Sequence, residues 1–289
     1  MTDVVAAAPA APAAPKLPVY VVHLLFFEGP PGTGKSYQMR SGNEKPREFK
    51  QALCDLSPVL GVPLGLISHR QMIFSQEVPE NWKSNQTIRG KTTPLFRLMC
   101  SDPVKYMCEF QCGVLEERFV EMQNAIDLLF AQRSEITDPT EKERGLIIAE
   151  RSMFVDRLVF GQAGHDNGFF SDVQWSAYNT FYRVFVKTFE QRLADHALLS
   201  HNVTLKFDLL GTVYMKQEPA KCLERIRLRH RHGEEKLDMM YCEEMKQRHE
   251  FLFADQDYVG GPVFTIDESQ LDLSKQARVI PDLYSLLPM

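Results

Sequence analysis

Residues 29 to 36 have the types and the spacing of a phosphate-binding loop. They read GPPGTGKS and follow an apolar run, YVVHLLFF, so a strand is expected to lead directly into the loop. Glycines let successive backbone N–H groups turn toward phosphate oxygens, and the helix that follows directs its positive end at the same anion. In this pattern Lys35 reaches the outer phosphates and Ser36 binds magnesium.

The loop therefore predicts a site for ATP, or for another nucleoside triphosphate, together with Mg²⁺. The alternative interpretation is a fortuitous glycine-rich turn, which the preceding strand-like run disfavours. The residues expected to hold the triphosphate are Gly29, Pro30, Pro31, Gly32, Thr33, Gly34, Lys35 and Ser36.

A second polar cluster follows a second apolar run, GLIIA at residues 145 to 149. Glu150, Arg151 and Ser152 come where this strand should end and a helix should begin. In open α/β sheets that carboxyl edge is where ligands bind. The Glu150 carboxylate can hold magnesium beside the loop, and the Arg151 guanidinium can hold phosphate. Taken alone, the triplet is also compatible with a helix start that carries a charged flank.

These motifs must be positioned by the elements around them, and strand-like runs alternate with helical patterns along the chain. Such alternation predicts an α/β fold, with a parallel sheet and helices on both of its faces. The predicted strands cover residues 20–27, 72–76, 145–149, 207–215 and 262–266, and the clearest helices cover 107–132, 172–200, 219–231 and 239–253.

Composition narrows the class of protein. The chain has 289 residues, of which 44% are apolar and 25% charged, so it can bury the core of one large domain or two small ones. A net charge of -5 gives no general attraction to nucleic acid or anionic membranes, and we expect neither as a partner. The six cysteines form no CxxC pair. Cys108 and Cys112 can share a helix face, but a zinc site would need two more ligands near by.

The first 17 residues are rich in alanine and proline and are expected to form a disordered tail, followed by one domain over 18–289. They fit neither a secretion signal nor a transit peptide, so the cytoplasm is the expected location, with the nucleus as the second choice.

In motif order and content the chain resembles the cellular and insect deoxynucleoside kinases from about residue 20 to 270. The matching stretches, besides the two clusters above, are EVPENW at 77–82, LFRLMCSDPVKYMCEFQ at 95–111, CLERIRLRHRHGEE at 222–235 and PVFTID at 262–267. The resemblance implies a P-loop kinase fold with a five-stranded parallel sheet and an arginine-rich lid at about 225–236. It also implies ATP-dependent phosphorylation of a deoxynucleoside 5′-hydroxyl in nucleotide salvage.

The same resemblance assigns roles to residues. Glu77 would be the base that takes the proton of the 5′-hydroxyl, within the segment that also contains Trp82, and Arg151 would orient the 5′-oxygen and Glu77. Gln111 would pair with the edge of the base beside an aromatic wall at Phe110. In the lid, Glu234 would meet the sugar 3′-hydroxyl while three arginines close over the phosphoryl group: Arg225, Arg229 and Arg231. The alternative interpretation of these arginines is a solvated basic helix face, which would be favoured for a random run of charges.

Helical spacing adds a charged pair. Gln111, Leu115 and Arg118 share one helix face, which would turn all three toward a common pocket, and Asp156 and Phe160 are one turn apart. If both helices flank the substrate, Arg118 and Asp156 pair and offer hydrogen bonds to an exocyclic group. Within the family such a pair goes with deoxycytidine and purine deoxynucleosides. The alternative is a surface ion pair beside a core phenylalanine.

Two features depart from the family pattern. Cys100 stands where the family usually has a tyrosine that holds the 3′-hydroxyl and screens the 2′ position. Because a thiol is a weak hydrogen-bond partner, we expect looser discrimination among sugars. In addition, Lys35 and Glu77 lie further apart than in familiar members, which implies an insertion between 37 and 71.

Two other functions remain open at this point. A nucleoside monophosphate kinase, such as a thymidylate kinase, shares the P-loop, the charged pair after a strand and the arginine-rich lid. A nucleotide-binding subunit that kept the fold but lost turnover is the other. Family members commonly form homodimers through long helices, and the helices at 107–132 and 172–200 are the candidates here.

Overall fold

The computed structural model describes residues 17–36, 72–75, 85–88, 91–133, 143–231 and 233–267, with the backbone alone for 85–88 and 91–94. Five described strands form one parallel sheet in the order β2-β5-β1-β6-β7, and β3 and β4 form a separate antiparallel pair. The strands are β1 Val19–Glu28, β2 Met72–Ser75, β3 Asn85–Ile88, β4 Lys91–Pro94, β5 Arg144–Glu150, β6 Thr204–Lys216 and β7 Val263–Asp267.

The predicted fold class is confirmed, because each strand-like run becomes a strand of the sheet within a few residues. β1 lies at the centre, and its apolar side chains are buried on both faces, as is typical of a strand covered by helices on each side. The register pairs Phe27 of β1 with Glu150 of β5. The phosphate loop after β1 and the polar triplet after β5 therefore leave the sheet at the same edge.

The helices cover the sheet and supply the walls above its carboxyl edge. The long helices α2 and α5 pack against each other, and their buried side chains share a core with β1 and β5. The helices are α1 Leu95–Ser101, α2 Pro103–Arg133, α3 Met153–Val155, α4 Gln162–Asp166, α5 Asp172–His201, α6 Pro219–Arg229 and α7 Met239–Phe253. Among the described residues, no helix combines the length and the apolar composition needed to cross a bilayer.

Three details differ from the sequence expectation. Residues Asp156–Gly161 form a π-helix between α3 and α4, whereas an ordinary helical turn was expected there. The helix predicted over 219–231, α6, ends at Arg229 because His230 adopts a left-handed conformation, with φ of 49°. Leu115 is fully buried in the core, so the expectation that it faces a pocket with Gln111 and Arg118 is wrong.

Some expectations lie outside the described residues. These are the alanine- and proline-rich tail up to residue 16, the insertion between 37 and 71, and the two site candidates Glu77 and Trp82. In the chain, Glu77 comes two residues after the end of β2 at Ser75. The single domain over 18–289 stays a prediction.

Candidate active site

The loop after β1 has the backbone that phosphate binding requires. Gly29 has φ of 141° and Gly32 has φ of 86°, conformations that L side chains rarely adopt. A Cβ atom at Gly29 would lie 2.5 Å from the Met215 carbonyl oxygen, and one at Gly32 would lie 2.4 Å from that of Cys222. Both positions therefore require glycine, and the close approach of α6 and β6 fixes the shape of the loop.

Lys35 begins the helix that follows the loop, and its side chain is buried against the loop itself. The ammonium donates hydrogen bonds to the carbonyl oxygens of Gly29 and Pro30, at 2.8 and 3.0 Å. The Thr33 hydroxyl donates to Pro30 as well, at 3.0 Å. These bonds hold a positive charge inside the curve of the loop, where a phosphate chain would lie.

A hydrogen bond between Ser36 and Glu150 links the two motifs. The Ser36 hydroxyl donates to Glu150 Oε1 at 2.8 Å, and the Glu150 carboxylate is buried at the end of β5. A hydroxyl beside a carboxylate, next to a phosphate-binding loop, is an all-oxygen donor set of the kind that Mg²⁺ prefers. The residues present therefore fit a magnesium ion.

A buried carboxyl group that the sequence analysis missed, Glu28, lies between the loop and the polar triplet. Its Oε1 accepts a hydrogen bond from the Ser152 backbone N–H at 2.5 Å, and its side chain is wholly buried. Burial raises the pKa of Glu28 to about 8, although the positive charge of Arg151 acts in the opposite direction. The available signal was a single acidic residue that ends an apolar strand immediately before Gly29.

Arg151 has φ of 71°, an uncommon conformation for a residue with a side chain. Its backbone N–H donates to the Phe27 carbonyl at 2.9 Å, and its guanidinium donates to the Gly29 carbonyl at 3.2 Å. The guanidinium also lies 4.5 Å from the centre of the Phe160 ring, a cation–π contact. Strained backbone of this kind is frequent at active sites, and here it holds the guanidinium at the mouth of the loop.

A cavity of about 580 Å³ opens above these groups and extends from the phosphate loop to α1, α2 and the lid. Most of the predicted site residues line this cavity. Those that line it are Pro31, Gly32, Gly34, Lys35, Ser36, Cys100, Phe110, Gln111, Glu150, Arg151, Asp156, Phe160, Arg225, Arg229, Arg231 and Glu234. Gly29, Pro30 and Thr33 are not among the lining residues, although Gly29 and Pro30 shape the loop.

The far end of the cavity has an apolar wall with one amide. Phe110 lies there 5.8 Å from Phe96, measured between ring centres, and Gln111 is buried beside them. Among the described residues, the Gln111 amide nitrogen reaches only the Met107 sulfur, at 3.9 Å, and its Oε1 has no hydrogen-bond partner. A buried amide without a full set of partners beside aromatic rings is suited to the edge of a planar heterocycle.

Arg118 and Asp156 form the expected ion pair, and the pair is buried, so the alternative of a surface pair is wrong. Arg118 Nε donates to Asp156 Oδ2 at 2.9 Å, and the guanidinium also reaches Glu121 at 3.1 Å. Asp156 lines the cavity whereas Arg118 lies behind it. Asp156 begins the π-helix, a distortion that is frequent at functional sites.

The lid side chains are tied together around Glu234. Arg229 donates two hydrogen bonds to the Glu234 carboxylate, and Arg231 lies 3.6 Å from it. Arg225 instead donates to the Gly32 carbonyl at 3.2 Å, which links α6 to the phosphate loop.

Cys100 lies beside the part of the lid that contains Gly233 and Glu234. A Cβ atom at Gly233, the residue before Glu234, would lie 3.0 Å from the Cys100 sulfur. Burial and the neighbouring carboxylates of Glu234 and Glu235 raise the pKa of the Cys100 thiol to about 12, so it stays protonated at neutral pH. Sequence reasoning also missed several apolar and aromatic lining residues, whose types alone give no signal, among them Phe96, Met99 and Tyr241.

Comparisons with known proteins agree with this geometry. A family model described as deoxynucleoside kinase matches residues 66–287. The chain is 24% identical over 186 residues to the mitochondrial deoxyguanosine kinase of Xenopus laevis, a match that covers 61% of each protein. It is 23% identical over 233 residues to a probable deoxycytidine kinase of fowlpox virus, covering 78% of this chain and 81% of that one.

Bovine deoxycytidine kinase is 26% identical over 137 residues, which cover 45% of this chain and 47% of the bovine enzyme. The match thus spans less than two thirds of the length of the frog and bovine relatives. The family model, in contrast, covers most of the chain. The protein therefore belongs to the deoxynucleoside kinase family.

Proposed function

We propose that the protein transfers the terminal phosphoryl group of ATP, or of another nucleoside triphosphate, to the 5′-hydroxyl of a deoxynucleoside. The observation that carries the proposal is that one cavity joins a phosphate loop at one end to a buried amide and aromatic rings at the other. A donor phosphate chain and a nucleoside acceptor then meet between Arg151 and the lid.

The contacts support the following roles for the residues. The loop amides and Lys35 would bind the triphosphate, and Ser36 and Glu150 would hold magnesium, which would supply positive charge to the phosphate oxygens. Phosphoryl transfer passes through a loose transition state, so the protein contributes alignment and positive charge, which Lys35 and Arg151 supply from fixed positions.

The lid residues form a network of contacts that a bound nucleoside would rearrange. Arg225 already contacts the loop through Gly32, while Arg229 and Arg231 share the Glu234 carboxylate. When a nucleoside 3′-hydroxyl takes one Glu234 oxygen, part of this network is released toward the transferring phosphoryl group. Glu77, two positions after β2 in the chain, is the proposed base for the 5′-hydroxyl.

For the base of the nucleoside, we propose a preference for deoxycytidine or the purine deoxynucleosides. Asp156, fixed by Arg118, presents a carboxylate to the cavity that can accept a hydrogen bond from an exocyclic amino group. Next to Glu234, Cys100 offers the sugar a neutral thiol, so we expect the protein to accept ribose and modified sugars more readily than a tyrosine at this position would allow.

A phosphate-transfer assay with labelled ATP and Mg²⁺ tests the function directly. We expect monophosphate product from deoxycytidine, deoxyadenosine or deoxyguanosine, less from thymidine, and measurable product from cytidine. Product from thymidylate alone would identify a monophosphate kinase instead. Nucleotide binding without turnover on any acceptor would identify a non-catalytic subunit.

Glu77→Gln tests the base. Removing a general base typically costs about 10² to 10⁴ in kcat, and nucleoside KM should change little because the amide keeps the size of the side chain. Glu80→Gln is the matched control, since it removes a carboxylate three residues further along the same segment. Equal kcat values for the two variants would remove Glu77 from the mechanism.

We further propose a homodimer through α2 and α5. These helices expose apolar side chains, among them Leu128, Phe181 and Val184. Analytical ultracentrifugation is expected to give twice the mass of one chain, and a charged residue at Val184 is expected to shift the equilibrium toward the monomer.

A further inference from the structure

Away from the kinase cavity, three side chains with metal-binding atoms converge on the C-terminal halves of the two long helices. Asp127 belongs to α2, and His196 and His201 belong to α5. Asp127 Oδ1 lies 2.8 Å from His196 Nε2 and 2.7 Å from His201 Nε2. All three donor atoms lie within 4.8 Å of one another. We propose that this cluster binds a divalent transition metal ion, and specifically Zn²⁺.

The cluster is separate from the magnesium site. On α2, the last residue that lines the kinase cavity is Val114, and Asp127 follows 13 positions later. At 1.5 Å per helical residue the two positions are about 20 Å apart. An ion at Asp127 therefore does not contact the triphosphate.

The chemistry of the three donor atoms favours Zn²⁺ over Mg²⁺ and Ca²⁺. Two imidazole nitrogens and one carboxylate oxygen are ligands that Zn²⁺ accepts, whereas Mg²⁺ and Ca²⁺ prefer oxygen alone. The two histidine side chains are about one fifth exposed and Asp127 about one half. Solvent thus reaches the cluster, and water can supply the fourth position of a tetrahedral ion.

The spacing requires little rearrangement. Ligand atoms that surround Zn²⁺ tetrahedrally at about 2.1 Å are about 3.4 Å from each other. The carboxylate oxygen is already within about 0.7 Å of that separation from both nitrogens. Since all three donor atoms lie within 4.8 Å of one another, side-chain movements of at most about 1.4 Å bring them to that separation, and the backbone of both helices can stay in place.

The position of His201 is fixed by packing as well as by hydrogen bonding. Its ring stacks on Phe130 at 4.3 Å between ring centres, and Phe130 lies 4.7 Å from Tyr20 of β1. His201 is also the last residue of α5, and only two residues separate it from the start of β6. A bound ion would join the end of α5 to α2, and we expect it to stabilise the folded chain.

Zinc titration of the full chain tests the proposal. The protein is first treated with a chelator, and the titration is run without nucleotide or nucleoside and with excess Mg²⁺ to occupy Ser36 and Glu150. We expect one tight Zn²⁺ per chain by calorimetry and a rise in Tm of about 5 °C at saturating Zn²⁺. No saturable binding would overturn the proposal.

Variants locate the site. Asp127→Asn and His201→Gln should each weaken Zn²⁺ binding by more than about tenfold, because each removes a ligand. The matched control is His165→Gln, since the His165 ring also lies near two carboxylates, at 3.7 and 3.6 Å, but with no second imidazole in that cluster. Unchanged Zn²⁺ affinity in both Asp127→Asn and His201→Gln would contradict the assignment.

A measurement on the unaltered protein avoids any loss of folding. Diethyl pyrocarbonate acylates accessible histidine rings, and mass spectrometry reports the extent at each position. Zn²⁺ should protect His196 and His201 and leave His165 reactive. Equal protection of all three, or of none, would show that the ion does not bind here, and neither result depends on whether the protein is a kinase.

Discussion

The two ends of the cavity are built from different parts of the chain. At the phosphate end, the backbone of the loop makes the site, and Lys35 and Ser36 are held by carbonyl and carboxylate oxygens. At the nucleoside end, side chains from separate helices make the site, and the Gln111 carbonyl oxygen has no partner among the described residues. The first end recognises what all triphosphates share, whereas the second end distinguishes one nucleoside from another.

This difference predicts different responses to substitution. A backbone site tolerates changes of side chain but not a change of backbone conformation. A side-chain site can lose one contact and keep its fold, provided that no buried charge is left without its partner. The following substitutions test whether each end of the cavity depends on backbone conformation or on individual side-chain contacts.

Gly32→Ala should produce the largest effect, at the phosphate end. Its Cβ would lie 2.4 Å from the Cys222 carbonyl oxygen in a residue with φ of 86°, so the loop or α6 must move. Because phosphate contacts depend on loop geometry, we expect kcat/KM to fall by about 10³, with every nucleoside affected equally. Steady-state kinetics with three different nucleosides checks this.

Gly168→Ala is the control for backbone strain alone. Gly168 has φ of 73°, but a Cβ atom there would meet nothing within 4 Å. We expect a loss of about 1 kcal/mol in the free energy of unfolding and nearly unchanged kcat/KM. If both variants lose the same activity, general instability and not loop shape explains the result for Gly32.

Arg118→Met should produce the second largest effect, on stability at the nucleoside end. It leaves the buried Asp156 carboxylate without its main partner, and breaking such a pair costs about 3–5 kcal/mol. Urea unfolding measures the loss. Combining Arg118→Met with Asp156→Ala removes both charges and should recover much of the stability.

The double variant also tests specificity, because thymidine should gain relative to deoxycytidine when both charges are absent. A thymidine to deoxycytidine ratio of kcat/KM that does not change would show that the pair is structural alone. Gln111 would then be the residue left to account for nucleoside selection at that end of the cavity.

The sequence predicted the phosphate end more completely than the nucleoside end, for a physical reason. The loop is one contiguous segment whose shape follows from its own glycines, and apolar runs gave all five strands of the sheet. The π-helix at Asp156–Gly161 has no local sequence signal, and helical periodicity placed Leu115 in the pocket although it is in the core. Likewise, Asp127 and His196 meet across 69 residues, and no spacing rule joins two separate helices.

Gln111→Leu should produce a smaller and more selective effect. Leucine fills a similar space without a polar group, so stability should be unchanged or slightly higher, because a buried oxygen without a partner is removed. Losing a hydrogen-bonded base contact is expected to raise nucleoside KM by about 10- to 100-fold, while the KM for ATP stays the same. Comparable increases in both KM values would contradict the assignment of Gln111 to the nucleoside end.

Glu28 connects the two ends, and its contribution to stability should depend on pH. Its pKa is about 8 in the folded chain against an ordinary value of 4.5, so between these values the folded state carries a proton that the unfolded chain lacks. Stability should therefore fall as the pH rises from about 4.5 to 8, by at most about 1.4 kcal/mol per pH unit.

Glu28→Gln keeps an acceptor for the Ser152 N–H and removes the titration, so its Tm should vary less with pH and exceed that of the parent near pH 8. Glu224→Gln removes an exposed carboxylate of α6 and serves as the control. If the Tm of Glu28→Gln declines as steeply as that of the parent, the carboxyl group is ionised in the folded chain. Glu28 and Arg151 would then form an ion pair beside the phosphate loop. The rigidity of the phosphate end would depend on that pair of charges, as the stability of the nucleoside end depends on Arg118 and Asp156.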